Sequence, residues 1–341
     1  MTPNQKHVSS PEVDLEQQRW KIVSSILRHR CNQNQISFYH RVNRFNFIEN
    51  HSKNKILLSF LFDCIDINFV RLAAEHCSKL GKKLYVITDS WIDPKVFYCP
   101  GVKLFSLPKL FGLTALPGKL TQSKTPTKLF NAFFHRADAT RQSWFYFLYL
   151  RNLLDKGYVS YRLYQINTNI TGQQLYDQIH NAYLSKVEHF NNAYFALRNS
   201  VPYSNFGDAD NLGELILNTK YSLVSDTYAV QDDLGTFYIS EKVTRALQYP
   251  TVNLFFLQKN TLSKMVGAGL HVDPQLLEID DLNWIDRQQQ ILTILENDAI
   301  HQPLDVCLDQ ANHNRDILNN WLSQCLNSSF YDEVFDFIAS D

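Results

Sequence analysis

Cations are misplaced in the first turn of a helix, where the aligned peptide dipoles already leave positive charge. The chain does this at two places. In "YISEKVTR", Lys242 and Arg245 fall in the first turns of the helix expected after Ser240. In "FFHRADATRQSW", His135 and Arg136 follow an apolar run, and Arg141 falls in the first turn of the next helix. In "SLVSDTY", Asp226 stands near the end of another apolar run. An anionic ligand would resolve both anomalies. Free N–H groups and the dipole hold phosphate at a helix start, and neighbouring Arg or Lys adds charge. A diphosphate suits two such helix ends converging across a crevice. Lys242 could instead pair with Glu241 or Asp226, a surface contact worth about 0–1 kcal/mol.

These residues need strands and helices to position them. "KILLSFLF" (55–62) is a continuous apolar run, as in a strand buried on both faces. Val70, Ala73, Ala74, Cys77 and Leu80 then share a helical face that Gly81 ends, and "KLYVITD" (83–89) is a second strand. Strand, helix and strand with short joints make a βαβ unit with parallel strands. "VKLFSL" (102–107), "KLFNAFF" (128–134), "VSYRLY" (159–164), "YSLVSDTY" (221–228) and "TVNLFFL" (251–257) read as further strands. Helices are expected from Ser10-Pro11-Glu12 to the "NQNQ" at 32–35, from Asp138 to about Asp155, over 172–198, and near 283–297 and 303–326. Residues 36–50, "ISFYHRVNRFNFIEN", are aromatic and basic without a clear period. The stretch 107–127, rich in Pro, Gly, Ser and Thr, reads as a linker. The alternation predicts an α/β fold with two parallel sheets facing a cleft, and ligands beyond the carboxyl ends of the strands.

The totals set bounds. At 341 residues the chain accommodates two domains, and its net charge of −1 confines any basic site to a local patch. Cys31, Cys64, Cys77, Cys99, Cys307 and Cys325 contain no CxxC pair and read as free thiols of a reducing compartment. The polar N-terminus lacks a signal-peptide apolar region, and no apolar run reaches the roughly 20 residues of a membrane span. The expectation is a soluble chain, cytoplasmic at synthesis. No GxxxxGK[ST] or GxGxxG fingerprint occurs, which counts against a P-loop ATPase or a dinucleotide-binding dehydrogenase. Asp208 and Asp210 have the spacing of a divalent-metal motif but no apolar strand immediately before them, so they read as loop residues.

Two blocks carry a family resemblance. "KLFNAFFHRADATRQSWFYFLYLRNLLDKGYVSYRLY" resembles the opening of the donor domain of fucosyltransferase-like glycosyltransferases. "YSLVSDTYAVQDDLGTFYISEKVTRALQYPTVNLFFLQKNTLSKMVGAGLHV" resembles their second signature: a strand ending in an acid, a spacer, (T/S)EK, a helix and a buried strand. The likeness spans about residues 128–300. It implies two Rossmann-like domains in the GT-B arrangement and inverting transfer from a nucleotide sugar, with no metal or other cofactor required. Residues 1–50 would be a helical extension, 51–125 the acceptor-side domain, 126–300 the donor domain and 301–341 terminal helices. Lys242 and Arg141 would neutralise the leaving diphosphate, with Arg136 and Arg245 nearby and Glu241 and Asp226 in supporting roles. Two departures bear on the donor: Asp226 stands where relatives often carry Glu, and Gln248-Tyr249-Pro250 replaces a small Gly-containing turn. A GDP-sugar is favoured, and the acceptor is open among glycan, protein, lipid and nucleic acid. Inversion needs a base. Asp63 after the first strand is the first candidate and Asp89 after the second is the next, while Asp66 is more simply a helix cap. The alternative is a protein of this fold that binds partners and has lost catalysis.

Overall fold

The structure is a computed structural model, and it describes residues 11–40, 48, 53–61, 65, 67–93, 99–121, 125–134, 139–161, 203–204, 212–226, 229 and 236–341. The short apolar runs form buried parallel strands, and the chain is a mixed α/β structure. It divides into two compact units. One comprises Met1–Lys119, Asp233–Gln248 and His313–Asp341, and the other Leu120–Asp232 and Tyr249–Asn312.

The first unit holds a four-stranded parallel sheet of β1 (Ile36–His40), β2 (Lys55–Phe60), β3 (Lys83–Thr88) and β5 (Val102–Ser106), side by side in chain order. Side chains alternate between its faces with the strand period of two. Leu57, Tyr85 and Ile87 meet Val23 and Leu27 of α1 (Pro11–Gln33), Leu110 and Leu113 of a 3₁₀ helix (Pro108–Thr114), and Phe335 and Ile338. Ile56, Leu58, Leu84 and Val86 meet Val70, Ala73 and Cys77 of α2 (Ile67–Lys79). Gly81 ends α2 with φ +64, a left-handed conformation that glycine adopts without cost. A two-residue strand, β4 (Trp91–Ile92), pairs antiparallel with β10 (Thr236–Phe237).

The second unit holds a five-stranded sheet built from β6 (Lys128–Phe134), β7 (Gly157–Tyr161), β8 (Tyr203–Ser204), β9 (Thr219–Ser225) and β11 (Val252–Phe256), in the spatial order β11-β9-β6-β7-β8. All neighbours are parallel except β7 and β8. The chain leaves β6 in one direction through β7 to β8, then returns to β6's other side for β9 and β11. Helix α3 (Ala139–Leu150) follows β6, and its Trp144 meets Phe256 of β11 edge-on at 5.3 Å. A short helix, α4 (Leu212–Leu217), precedes β9, and α5 (Glu241–Ala246) follows β10 in the first unit. After β11 come α6 (Thr261–Gly267), α7 (Pro274–Leu277) and α8 (Trp284–Asn297), whose start Asn283 caps through the amides of Ile285 and Asp286. The long helix α9 (Leu304–Cys325) and α10 (Asp332–Ser340) complete the elements.

Several features differ from the sequence reading. Residues 36–40 form an edge strand, and the expected linker contains a 3₁₀ helix burying Leu110, Phe111 and Leu113. An additional helix, α10, packs into the first unit's core. The helix expected over 172–198, and Asp208 and Asp210, lie outside the described residues. Four consecutive segments are not what the chain forms: residues 233–248, read as donor domain, join the first unit. Contacts distant in sequence place them there. Beside the β10–β4 pairing, Thr244 and Thr114 hydroxyls lie 2.8 Å apart, and Gln248 Oε1 accepts from Leu116 N at 2.6 Å.

Among the described residues no helix is long and apolar enough to cross a membrane. Cys31, Cys77, Cys99, Cys307 and Cys325 are free, and Cys64 lies outside the described residues.

Candidate functional site

The sequence-derived residues separate between the two units. Asp63 and Arg136, with His135 and Asp66, lie outside the described residues. Asp89, Glu241, Lys242 and Arg245 belong to the first unit, and Arg141 and Asp226 to the second.

In the first unit both cations of α5 have counter-charges within the protein. Lys242 Nζ lies 2.7 Å from Glu241 Oε1, and Arg245 Nη2 lies 2.5 Å from Glu16 Oε2 of α1. Burial pushes the Glu241 carboxyl up, but Lys242 beside it, with Arg245, outweighs burial and holds it down at about 2. Burial pushes Glu16 up, and Arg245 only partly offsets that. Each cation is therefore matched by a carboxylate, and Arg245 falls in the last turn of this short helix rather than at its start, so neither placement requires a bound anion. Asp89, the second base candidate, is fully buried in the turn after β3. Around it Ser90 N donates to Thr88 Oγ1 at 3.1 Å and Ser106 Oγ donates to Ser90 O at 2.6 Å.

The second unit has a different geometry. Strand order reverses at β6, so β6 and β9 flank the topological switch point, where open α/β sheets bind ligands. Asn131 ties these two strands together, donating to Thr219 Oγ1 at 2.7 Å and Ser222 Oγ at 2.8 Å. The ladder between them ends at the Asn131–Ser222 pair, and Ala132–Phe134 and Leu223–Ser225 are not paired with each other. On the outer sides pairing continues, to Phe134–Tyr161 and to Ser225–Phe256. The β6–β9 ladder thus ends before the carboxyl edge, a split in hydrogen-bonded pairing between two strands that stay adjacent.

Three polar residues lie at this split. Arg141, in the first turn of α3, is 2% exposed and donates through Nη2 to Ser225 O at 3.4 Å. Ser225 Oγ is buried and has no hydrogen-bond partner among the described residues. Asp226 is buried, with its amide donating to Phe256 O at 3.1 Å. A guanidinium, a hydroxyl able to donate and a carboxylate at one strand end can hold a phosphate and a sugar hydroxyl together.

Sequence reasoning passed over Arg287, which braces this edge. It is 3% exposed, and its Nη2 donates to Ala229 O at 3.0 Å and Leu257 O at 2.9 Å. Those carbonyls follow β9 and β11. Next to it Gln288 donates to Ser143 Oγ of α3 at 2.9 Å. One signal was available, since Arg287 is a fourth cation expected in the first turns of a helix, after the Asn283 cap. Asp280 caps α6 by accepting from the Ser263 amide at 2.9 Å. Among the described residues no group of His, Cys, Asp and Glu is placed to hold a metal ion.

No family model, curated protein or solved structure matches the chain.

Proposed function

We propose that the chain is a glycosyltransferase that takes a sugar from a nucleoside-diphosphate sugar with inversion and without a bound metal. The carrying observation is the split between β6 and β9, with buried Arg141 and the unpartnered Ser225 hydroxyl at the switch point. The reversal of strand order at β6 supports reading this sheet as doubly wound, with β8 antiparallel to β7. The resemblance of residues 128–300 to the fucosyltransferase-like donor domain supports the same reading and favours a GDP-sugar. Arg141 would stabilise charge on the departing diphosphate, the term that most often dominates such catalysis. Ser225 would donate to a phosphate oxygen, and Asp226 would accept from ribose or sugar hydroxyls. Lys242 and Arg245 take no part in this assignment, because Glu241 and Glu16 already engage them. The acceptor and the base are not assigned.

A second reading is a nucleotide-binding protein of this fold without transfer. The paired Lys242 favours it, since the cation that the resemblance assigns to the diphosphate is engaged by Glu241. Calorimetric titration with GDP, UDP, ADP and CMP, followed by a transfer assay over the matching donors, separates the two. The first reading expects one nucleotide to bind, turnover of its sugar, and loss of both in Arg141→Ala but not in Lys242→Ala. Binding without turnover supports the second reading. No binding by any of the four sinks both.

A further inference from the structure

A basic and aromatic groove runs along α1 and the edge strand β1 of the first unit. The proposed transfer makes no use of it. It consists of two adjoining cavities of about 480 and 360 Å³ that share Arg28 and Asn32. Lys21 and Arg28 stand exposed on α1, and Lys53 Nζ is fixed by donating to Ile36 O at 3.2 Å. Trp20 and Phe38 line the groove from the helix and the strand with half-buried rings whose inner edges pack on the sheet core, while Tyr39 packs on the other face of the sheet. Trp20 is held by a ring contact with His40 at 4.7 Å.

The charge distribution sets this groove apart from an ordinary solvated helix face. None of its described lining residues is acidic, although acids and bases are balanced over the whole chain to a net −1. Helix α1 carries its acids early, at Glu12, Asp14 and Glu16, and its bases later. Two of those bases are committed elsewhere. Arg19 donates to Leu113 O at 2.9 Å, and Arg30 pairs with Asp332 at 2.7 Å. Lys21 and Arg28 are left on the groove, two turns apart on one helical face and so about 10 Å apart along the axis.

We propose that this groove binds single-stranded nucleic acid. Cations spaced along a groove follow a phosphodiester backbone, and aromatic rings between them give unstacked bases a surface to stack on. A duplex keeps its bases stacked internally and cannot use those rings. The proposal is independent of the transfer reaction, because its test measures binding alone.

The test is fluorescence anisotropy of the full chain with labelled oligouridylate and oligothymidylate, single-stranded and as duplexes with their complements. Single strands are expected to bind with a log–log salt slope of about −2, from three phosphates at about −0.7 each. The tighter of RNA and DNA identifies the polymer. Lys21→Glu/Arg28→Glu should lose about tenfold or more in affinity, while the same charge change on α2, Arg71→Glu/Lys79→Glu, should stay within about twofold. Both pairs lie on exposed helix surface, and urea unfolding confirms that each variant is folded. Equal losses in the two variants, duplexes binding as tightly as single strands, or no binding of either polymer would overturn the proposal.

Discussion

Arg245 Nη2 lies 2.5 Å from Glu16 Oε2, so an ion pair ties the last turn of α5 to α1 within the first unit. Their side chains are only 21% and 18% exposed. Breaking such a pair from one side leaves an uncompensated charge with little access to water. Burial already pushes the Glu16 carboxyl up from its ordinary value near 4.5, and Arg245 limits that rise. Arg245→Met should therefore cost about 2 kcal/mol at pH 7. A carboxyl with a raised folded value contributes its stability below about 4.5 and loses it as pH rises through that value. Without Arg245 the rise is larger, so the penalty should shrink between pH 7 and pH 5, and Glu16→Gln in the same chain should recover most of it. Urea midpoints at the two pH values check this. A pH-independent penalty would mean that the charge on Glu16 is not the cause.

Glu241 has the opposite sign. Burial raises its carboxyl, but Lys242 and then Arg245 bring it down to about 2, against 4.5 for an ordinary glutamate. A lowered carboxyl gives stability above about 4.5 and loses it as pH falls towards about 2. After allowance for partial exposure, the contribution is about 1–2 kcal/mol. Glu241→Gln should be less stable than the natural chain at neutral pH by that amount. The two acid-unfolding curves should converge near pH 2.

These pairs also show which parts of the fold were legible in the sequence. Burial on both faces leaves a local mark, a continuous apolar run, and "KLFNAFF" becomes β6 over the residues read, with β2, β3, β9 and β11 close to theirs. Arg141 and Asp226 were singled out from position, because each follows an apolar run. What escaped depends on partners distant in the chain. Glu16 lies far from Arg245 in sequence, and no local pattern marks it as the counter-charge that resolves the anomaly at α5. The departure of residues 233–248 from the donor segment rests on the same kind of contact, through Thr114, Leu116 and the two-residue strand β4. Leu110, Phe111 and Leu113 were hidden by flanking Pro, Gly and Thr residues, whose composition resembles a linker although the apolar residues between them are buried.

The 3₁₀ helix gives a direct steric test. A Cβ on Gly112 would stand 2.8 Å from Leu318 O and 2.8 Å from the Trp321 carbonyl carbon, both backbone atoms of α9 that cannot rotate away. Gly112→Ala should destabilise the chain by about 2–3 kcal/mol. At Gly267, the end of α6, an added Cβ would meet no described atom within 4 Å. There the same substitution only restricts the unfolded chain, and stability should rise by about 0.5 kcal/mol. Thermal unfolding of the two variants should therefore move in opposite directions.

Ser225 separates a binding role from a structural one. Its hydroxyl is buried at the end of β9 without a partner among the described residues, and the neighbouring carbonyl accepts from Arg141. A buried unsatisfied hydroxyl costs folding free energy, so Ser225→Ala should leave stability unchanged or raise it by up to about 1 kcal/mol. If the hydroxyl donates to a phosphate, the same substitution should weaken nucleoside-diphosphate binding by about five- to tenfold, the worth of one hydrogen bond. Arg141→Lys should weaken it further, since an ammonium replaces a planar guanidinium that engages phosphate through a fork of N–H groups. A stable Ser225→Ala protein with unchanged nucleotide affinity would place the ligand away from the β6–β9 split. Loss of affinity with full stability would assign the split a binding role, because packing alone predicts no such separation.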